Sequence, residues 1–385
     1  MLPELEQRLI SIRRHLHQYP ELSREEFETT KSIKSWLQEE GIISRSTSLQ
    51  TGVFADIVGA EPGPTVAIRA DIDALPIKEE TNLPYASKVS GKMHACGHDF
   101  HTTALIGAAY LFKQNQQEFA GTIRLIFQPA EEIGAGAQKV VRDGQLDGVD
   151  AIIGLHNKPD LPVGTIGLKE GPLMAAVDRF TVKIKGIGGH AGLPQKATDP
   201  IVASAQMITA LQSIVSRNVS PLDQAVVSVT KIVGGSTWNV IPGEVELEGT
   251  VRTFDTETRK QVKKRFYEIT ESIGQAYQVD AAVRWFAGAP PVSNDAWVTE
   301  IAKEAAESAG LQIIEPALST AGEDFSMYQQ DIPGSFAFFG TSGTEDWHHP
   351  AFTLDETAII KAAEYLYTSG STLLKELHQK QRVTS

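Results

Sequence analysis

Cys96 and His98 stand two residues apart in the stretch His94-Ala95-Cys96-Gly97-His98-Asp99-Phe100-His101, which holds three of the ten histidines and the only cysteine. Thiolate and imidazole together are the ligand set that zinc-like divalent metals prefer. Gly97 permits the tight turn that lets both side chains face one point. Three readings compete: a buried free thiol beside surface histidines, a cysteine nucleophile with a histidine base, and a pair of metal ligands. The choice turns on whether the rest of the chain supplies further ligands.

It supplies several, each at the end of an apolar run. Residues 65–73 begin as a strand and finish in Asp71-Ile72-Asp73; residues 122–127 run into Gln128-Pro129-Ala130-Glu131-Glu132; residues 151–155 run into His156-Asn157; and residues 334–340 precede His348-His349-Pro350. In α/β sheets chemistry gathers at the carboxyl ends of strands. Cys96, His98, Glu131, Glu132, His156 and one of His348 or His349, with Asp71 and Asp73 nearby, suffice for two metals with an open position. A structural zinc site would show four Cys or His in two short pairs and no spare carboxylates. Carboxylates mixed with imidazoles and one thiolate suit a two-metal hydrolytic centre, where a bridging water ionises near neutral pH. The adjacent acids suggest divided labour, one on metal and one moving the proton. A coordinating cysteine is deprotonated and acts as a ligand rather than a nucleophile.

Helical periodicity covers residues 4–18, stopped before Pro20; His15 and His17 there read as helix-surface residues. Ser23 with Glu26 three later reads as a capping box for a second helix ending at Gly41. A helix rich in Ala, Leu and Ile follows over 102–113. Near residue 177 the texture changes: residues 177–185 alternate, then come a helix at 199–216, strands at 225–233 and 244–254, a helix at 256–275 and a strand at 280–286. That β-α-β-β-α-β order is ferredoxin-like, and its alternating strands imply a sheet with one face covered and one available for dimerisation. After Pro290-Pro291 the α/β texture returns, with helices at 295–309 and 355–377. The expectation is an α/β fold: a discontinuous catalytic domain of residues 1–176 and 292–385, with a lid or dimerisation domain of residues 177–291 inserted.

The 385 residues exceed what one core usually serves. A formal charge of −13 argues against nucleic acid or anionic membrane as a partner. A lone thiol permits no intrachain disulfide and suits a reducing cytosol. The acidic start has no apolar run of the signal-peptide kind, and no stretch approaches the roughly 18 apolar residues of a membrane helix. A cytoplasmic protein is expected.

The chain resembles the M20 metallopeptidases, and within them the amidohydrolase branch of hippurate hydrolases, indole-acetyl-amino-acid hydrolases and N-acetyl-diaminopimelate deacetylases. The resemblance spans nearly the whole chain. It rests on Arg13-Arg14, His17 and Pro20-Glu21-Leu22; on Arg69-Ala70-Asp71-Ile72-Asp73-Ala74-Leu75-Pro76, the Cys96 stretch, Gln128–Glu132 and Gly154-Leu155-His156-Asn157. Further on it rests on Gly188-Gly189-His190-Ala191, Asn239-Val240-Ile241-Pro242, Gly249-Thr250-Val251-Arg252, Gly322-Glu323-Asp324-Phe325 and His348-His349-Pro350.

The resemblance implies that Cys96, His98, Glu132, His156 and His348 hold two divalent ions, Mn or Zn ahead of Co or Ni, with Cys96 bridging. The family usually has a small polar residue where His349 stands, so His349 is the rival of His348. Glu131 resembles the general base, and Asp73 the acid that orients a ligating imidazole, whose other nitrogen seeks a carboxylate. A histidine replaces Asp71 in other branches, so Asp71 need not touch metal. His190 resembles an oxyanion donor, and Asn239 and Arg252 resemble substrate contacts. A homodimer, or tetramer, through the inserted domain is implied, along with domain closure hinged near 176 and 291. The activity implied is hydrolysis of N-acyl amino acids to a carboxylic acid and a free amino acid. Two rivals are a non-catalytic acyl-amino-acid binding protein on the same fold and a cysteine hydrolase using Cys96. The acyl group and the amino acid are left open.

Overall fold

The computed structural model describes residues 2–384. The chain forms two compact units. One comprises the amino terminus to Leu173, Ser293–Ala317, and Asp324 to the carboxyl terminus; the other is Met174–Val292 with Leu318–Glu323.

The first unit is built on a seven-stranded mixed sheet. Its strands run in the order Val53–Val58, Ala120–Gln128, Glu61–Asp71, Ala151–Lys158, Gly334–Gly340, Thr165–Gly167, Gln312–Ile314. Glu61–Asp71 pairs in parallel with Ala120–Gln128 and with Ala151–Lys158, which pairs in parallel with Gly334–Gly340. These four central strands therefore end on one edge of the sheet. They read as continuous apolar runs because helices cover the sheet, as parallel strands require. The helix His98–Gln114 is buried nearly all round, so its sequence shows little amphipathic contrast. It packs on the helices Leu2–Gln18 and Ala358–Thr384. Leu9, Ile68, Phe100, Phe112, Ile123 and Leu366 sit in the shared core, each buried side chain of this size contributing about 1.5–3 kcal/mol.

Two local expectations are corrected. The second helix spans Phe27–Glu39, and Ser23 does not cap it. The carboxylate of Glu21 accepts from the backbone N–H groups of Glu28 and Thr29 instead, while Ser23 Oγ donates to Asp73 Oδ2 at 2.6 Å. His17 is not on the surface. It is fully buried, with Nδ1 2.8 Å from Asp99 Oδ2 and Nε2 3.2 Å from Glu79 Oε1. Helical periodicity marks which face a residue lies on; it does not reveal that a polar face is buried against charged partners. His15 is exposed, as read.

The second unit carries a four-stranded antiparallel sheet in the order Asp280–Ala287, Ala176–Lys185, Glu244–Thr253, Ala225–Gly234. Alternate residues such as Phe180, Val182, Ile184, Val245 and Leu247 point into its core against Met207, Leu211, Val262 and Phe266 of its two helices. Both helices open on aspartate caps. Asp199 accepts from Ile201 and Val202 ahead of Pro200–Arg217, and Asp255 accepts from Thr258 ahead of Thr256–Ala276.

Candidate metal centre

The four central strand ends deliver the chemistry. Asp71 closes its strand; Gln128 closes the next and leads into Glu131 and Glu132; His156 and Asn157 lie near the end of the third; the chain leaving Gly334–Gly340 carries His348. Between the first two, Gly97 sits at φ +79° and starts the helix at His98. A Cβ at Gly97 would lie 2.4 Å from Asn157 Nδ2, so only glycine fits this turn.

Five of the ligand candidates converge. Cys96, His98 and His156 present ligand atoms all within 4.8 Å of one another, as do Cys96, Glu132 and His348, and His98, Glu131 and Glu132. Cys96 Sγ is 3.5 Å from His156 Nε2. Glu132 stands between two imidazoles, with Oε1 3.8 Å from His98 Nε2 and Oε2 3.6 Å from His348 Nε2. His349 turns away: its Nδ1 accepts from the Ala351 N–H and lies 3.9 Å from Glu345. The geometry thus favours His348 over its neighbour.

The protonation states follow from burial and charge. Burial, and then the negative Glu132, push the Cys96 thiol well above its usual range. That is the opposite of what a thiolate nucleophile needs. Burial, and then the nearby His101, hold His156 well below its usual value, hence neutral. Its Nδ1–H donates to the Asn157 carbonyl at 2.8 Å, which leaves the Nε2 lone pair facing Cys96, the tautomer a ligand needs. Burial pushes Glu132 up to about 7, with Asp73 and Asp71 adding to the rise and His98 opposing it. Burial works against charge on His98, but Asp71 and Asp73 outweigh it and raise its pKa well above the usual value.

A metal fits this donor set. Both ring nitrogens of His98 and Oε1 of Glu132 are buried without a hydrogen-bond partner. Orphaned buried donors and acceptors are costly and rare, and a cation between His98 Nε2 and Glu132 Oε1 would remove the cost on that side of the ring. Asp71 is different, since both its oxygens are committed. Oδ1 accepts from His101 Nδ1 at 2.6 Å and Oδ2 from Arg69 Nη1 at 2.9 Å, although Oδ2 also lies 3.7 Å from His98. Asp73 grips the acid pair from behind: Oδ1 accepts from the Glu131 N–H at 3.1 Å and Oδ2 from the Glu132 N–H at 3.0 Å. Its Oδ1 is also 3.4 Å from His98 Nδ1.

Several contributors escaped sequence reasoning. His101 Nε2 accepts from the Asn157 N–H at 2.8 Å, Asn157 Nδ2 donates to the Cys96 carbonyl at 2.6 Å, and Trp347 packs its ring 4.5 Å from that of His156. Arg69 reaches Gln128 Oε1 and Asp324 Oδ1, while Asp324 Oδ2 accepts from the Ala137 N–H. Asp324 therefore braces two strand ends and the helix Gly136–Arg142, the role that Gly322-Glu323-Asp324-Phe325 lacked in the sequence. The available signal was an arginine and a glutamine inside otherwise apolar strands, since such residues are buried only when paired.

The other expected residues belong to the second unit. His190 is exposed, pairs across a two-residue ladder with Val240, and receives the Gly192 N–H on Nδ1. Asn239 precedes that ladder, its carbonyl accepting from the Ala191 N–H. Arg252 is half-buried and donates to Thr250 Oγ1 at 2.6 Å.

Residues 67–369 match the model of peptidase family M20/M25/M40. The N-acetyl-L-cysteine deacetylase of Bacillus subtilis (strain 168) is 65% identical over 97% of this chain and 90% of its own length. The N-acyl-L-amino acid amidohydrolase of Geobacillus stearothermophilus is 46% identical over 76% and 80%. A crystal structure of the Bacillus subtilis YXEP protein, described as a dinuclear metal binding peptidase from the M20 family, superposes with a TM-score of 0.89. It is 52% identical and covers 97% of this chain and 99% of its own.

Proposed function

The chain belongs to peptidase family M20/M25/M40, and from that premise we propose how its residues hydrolyse N-acyl amino acids. It is a metal-dependent amidohydrolase that splits a linear amide into a carboxylic acid and a free amino acid. The observation that carries the reading is the set of orphaned buried atoms on His98 and Glu132, facing Cys96, His156 and His348.

Cys96, His98, Glu132, His156 and His348 would hold two divalent ions, Mn or Zn in our reading, since the ligand triads they form share members. Such ions polarise the amide carbonyl and acidify water to a pKa near 7. Glu131 takes a proton from the attacking water and delivers it to the departing amine nitrogen, as a carboxylate at hydrogen-bonding range can. Asp73 positions it, through the Glu131 N–H, together with the ligand Glu132. His190 donates to the oxyanion, and Asn239 and Arg252 contact the substrate; the exposure of His190 and its neighbourhood with Asn239 support this.

For the substrate we propose an acetyl group ahead of bulkier acyl groups, on the 65% identity to a protein named N-acetyl-L-cysteine deacetylase. The second unit acts as a ferredoxin-like lid and dimerisation module in this reading. Its edge strand Ala225–Gly234 exposes Val226, Ile232 and Val233, an edge that soluble proteins usually cover. A cytoplasmic site of action accords with the lone reduced thiol; among the described residues no helix is long and apolar enough to cross a membrane.

The test is amine release from a panel of N-acyl amino acids, after chelation and again with single divalent metals restored. Glu131→Gln is expected to lose at least about 10³-fold in kcat, some 4 kcal/mol, with both metals retained. A nearly full rate in that variant removes Glu131 as the base. No release with any metal, from folded and metal-loaded protein, overturns the activity itself.

A further inference from the structure

The turn that carries the acid pair is held by a residue more than 100 positions upstream. Glu26 is fully buried, and its Oε1 accepts from the Ala130 N–H at 2.9 Å. Ala130 is a non-glycine residue at φ +58°, a left-handed conformation that L-residues adopt only when their surroundings impose it. The next two amides, Glu131 and Glu132, donate to the two oxygens of Asp73. Three successive N–H groups are thus each held by a buried carboxylate oxygen. Ser23, three residues before Glu26, donates to Asp73 Oδ2. The short link between the first two helices therefore supports both carboxylates.

We propose that Glu26 is a positioning residue for the hydrolytic centre: its hydrogen bond to Ala130 holds the left-handed turn that aims Glu131 at the substrate and Glu132 at the metals. This rests on the roles assigned above to Glu131 and Glu132. Ala130 is pinned on its other side too, where its carbonyl accepts from the Gly136 N–H at 3.0 Å. The Glu26 bond fixes the preceding peptide unit, so the two peptides flanking the Ala130 Cα are both held. Oε2 of Glu26 has no hydrogen-bond partner, a costly state for a carboxyl group that did nothing but fill the core. Without the Oε1 bond, the Ala130 amide is unpaired in a buried site and the strained turn loses its restraint. Glu131 then samples orientations in which it cannot reach both the water and the leaving nitrogen, and misplacement on the ångström scale is enough to slow chemistry.

The experiment compares Glu26→Ala, Glu26→Gln and the double variant Glu26→Ala/Ala130→Gly, each metal-loaded. Hydrogen exchange of the 128–134 segment is read alongside kcat, KM and metal content. Glu26→Ala is expected to lower kcat about 10- to 100-fold with KM within about threefold, to keep two metals, and to speed exchange of that segment at least tenfold. Glu26→Gln keeps an acceptor oxygen and is expected to retain most of kcat and the slow exchange. Ala130→Gly removes the left-handed penalty and is expected to restore part of the loss in the double variant. Unchanged exchange and kcat in Glu26→Ala overturn the proposal, as does an equal loss in Glu26→Gln. If Glu26→Ala does not fold, the double and Gln variants decide by the same readouts. Inactive wild-type protein with normal exchange behaviour would instead count against the amidohydrolase reading, leaving the hydrogen-exchange arm to judge Glu26 alone.

Discussion

Two histidine–carboxylate clusters lie side by side on the same helix turn, and they differ in completeness. His101 spends both nitrogens, one on Asp71 and one on the Asn157 amide, and Asp71 divides its oxygens between His101 and Arg69. His98 and Glu132, a few ångströms away, leave three buried polar atoms without hydrogen bonds. Both histidines are buried; only one has its nitrogens satisfied. A completed cluster is a structural part, and an incomplete one of ligand chemistry is shaped for something that arrives later. The composition of the stretch from His94 to His101 does not distinguish them, because both histidines lie in one short motif.

The largest effect that would test this contrast is His98→Ala. It is expected to lower metal content below two ions per chain and kcat/KM by about 10³-fold or more, some 4 kcal/mol. Full metal occupancy in that variant, measured by elemental analysis, would erase the distinction. His101→Ala should behave in the opposite sense. Removing one partner of a buried, satisfied pair costs about 3–5 kcal/mol of folding stability, read by denaturant titration. Metals should still bind, with affinity reduced roughly 10- to 100-fold through loss of the outer support. Equal stability to wild type would show that His101 is not part of the framework.

The smallest effect sharpens the contrast through pH. In metal-free protein Glu132 has its pKa raised from the ordinary 4.5 to about 7 by burial, with nearby carboxylates adding to it. The folded state then binds the proton more tightly than the unfolded chain. The stabilisation is fully present below about pH 4.5 and is lost as the pH rises through 7, on the order of 3 kcal/mol. Chelated protein should therefore lose stability between pH 5 and 8 relative to Glu132→Gln, and metal-loaded protein should not. A flat difference between chelated wild type and the variant over that range would contradict the assignment.

Much of the architecture was readable from hydrophobic runs. Buried parallel strands announce themselves as unbroken apolar segments, and the polar residues that end them stand out, so the convergence of Cys96, His98, Glu132, His156 and His348 follows from strand ends sharing one sheet edge. What surrounds them was not readable. Ser23 and Glu26 fit a local capping pattern at a spacing of three, yet their partners are Asp73 and Ala130, remote in sequence. His17 and Asp99 are 82 positions apart and fully buried together. Local periodicity ranks neighbours along the chain. Long-range polar pairs are chosen by the packed fold, and only the surprise of a charged residue in an apolar run hints at them. The short strands Thr165–Gly167 and Gln312–Ile314 escaped for a related reason: three residues are too few to show any period.

The sheet order also sets a timetable. Gly334–Gly340 lies between Ala151–Lys158 and Thr165–Gly167, so a central position of the sheet is filled by a strand made long after both its neighbours. At roughly 5–20 residues per second, the Ala151–Lys158 strand leaves the ribosome on the order of ten to forty seconds before its neighbour exists. During that interval its apolar edge is open, with the backbone groups that would pair to Gly334–Gly340 unsatisfied. That edge stays open to wrong pairing until Gly334–Gly340 emerges. Chains ending before Gly334 should precipitate or remain chaperone-bound, and if they proved as soluble as the full chain this timetable would have no consequence.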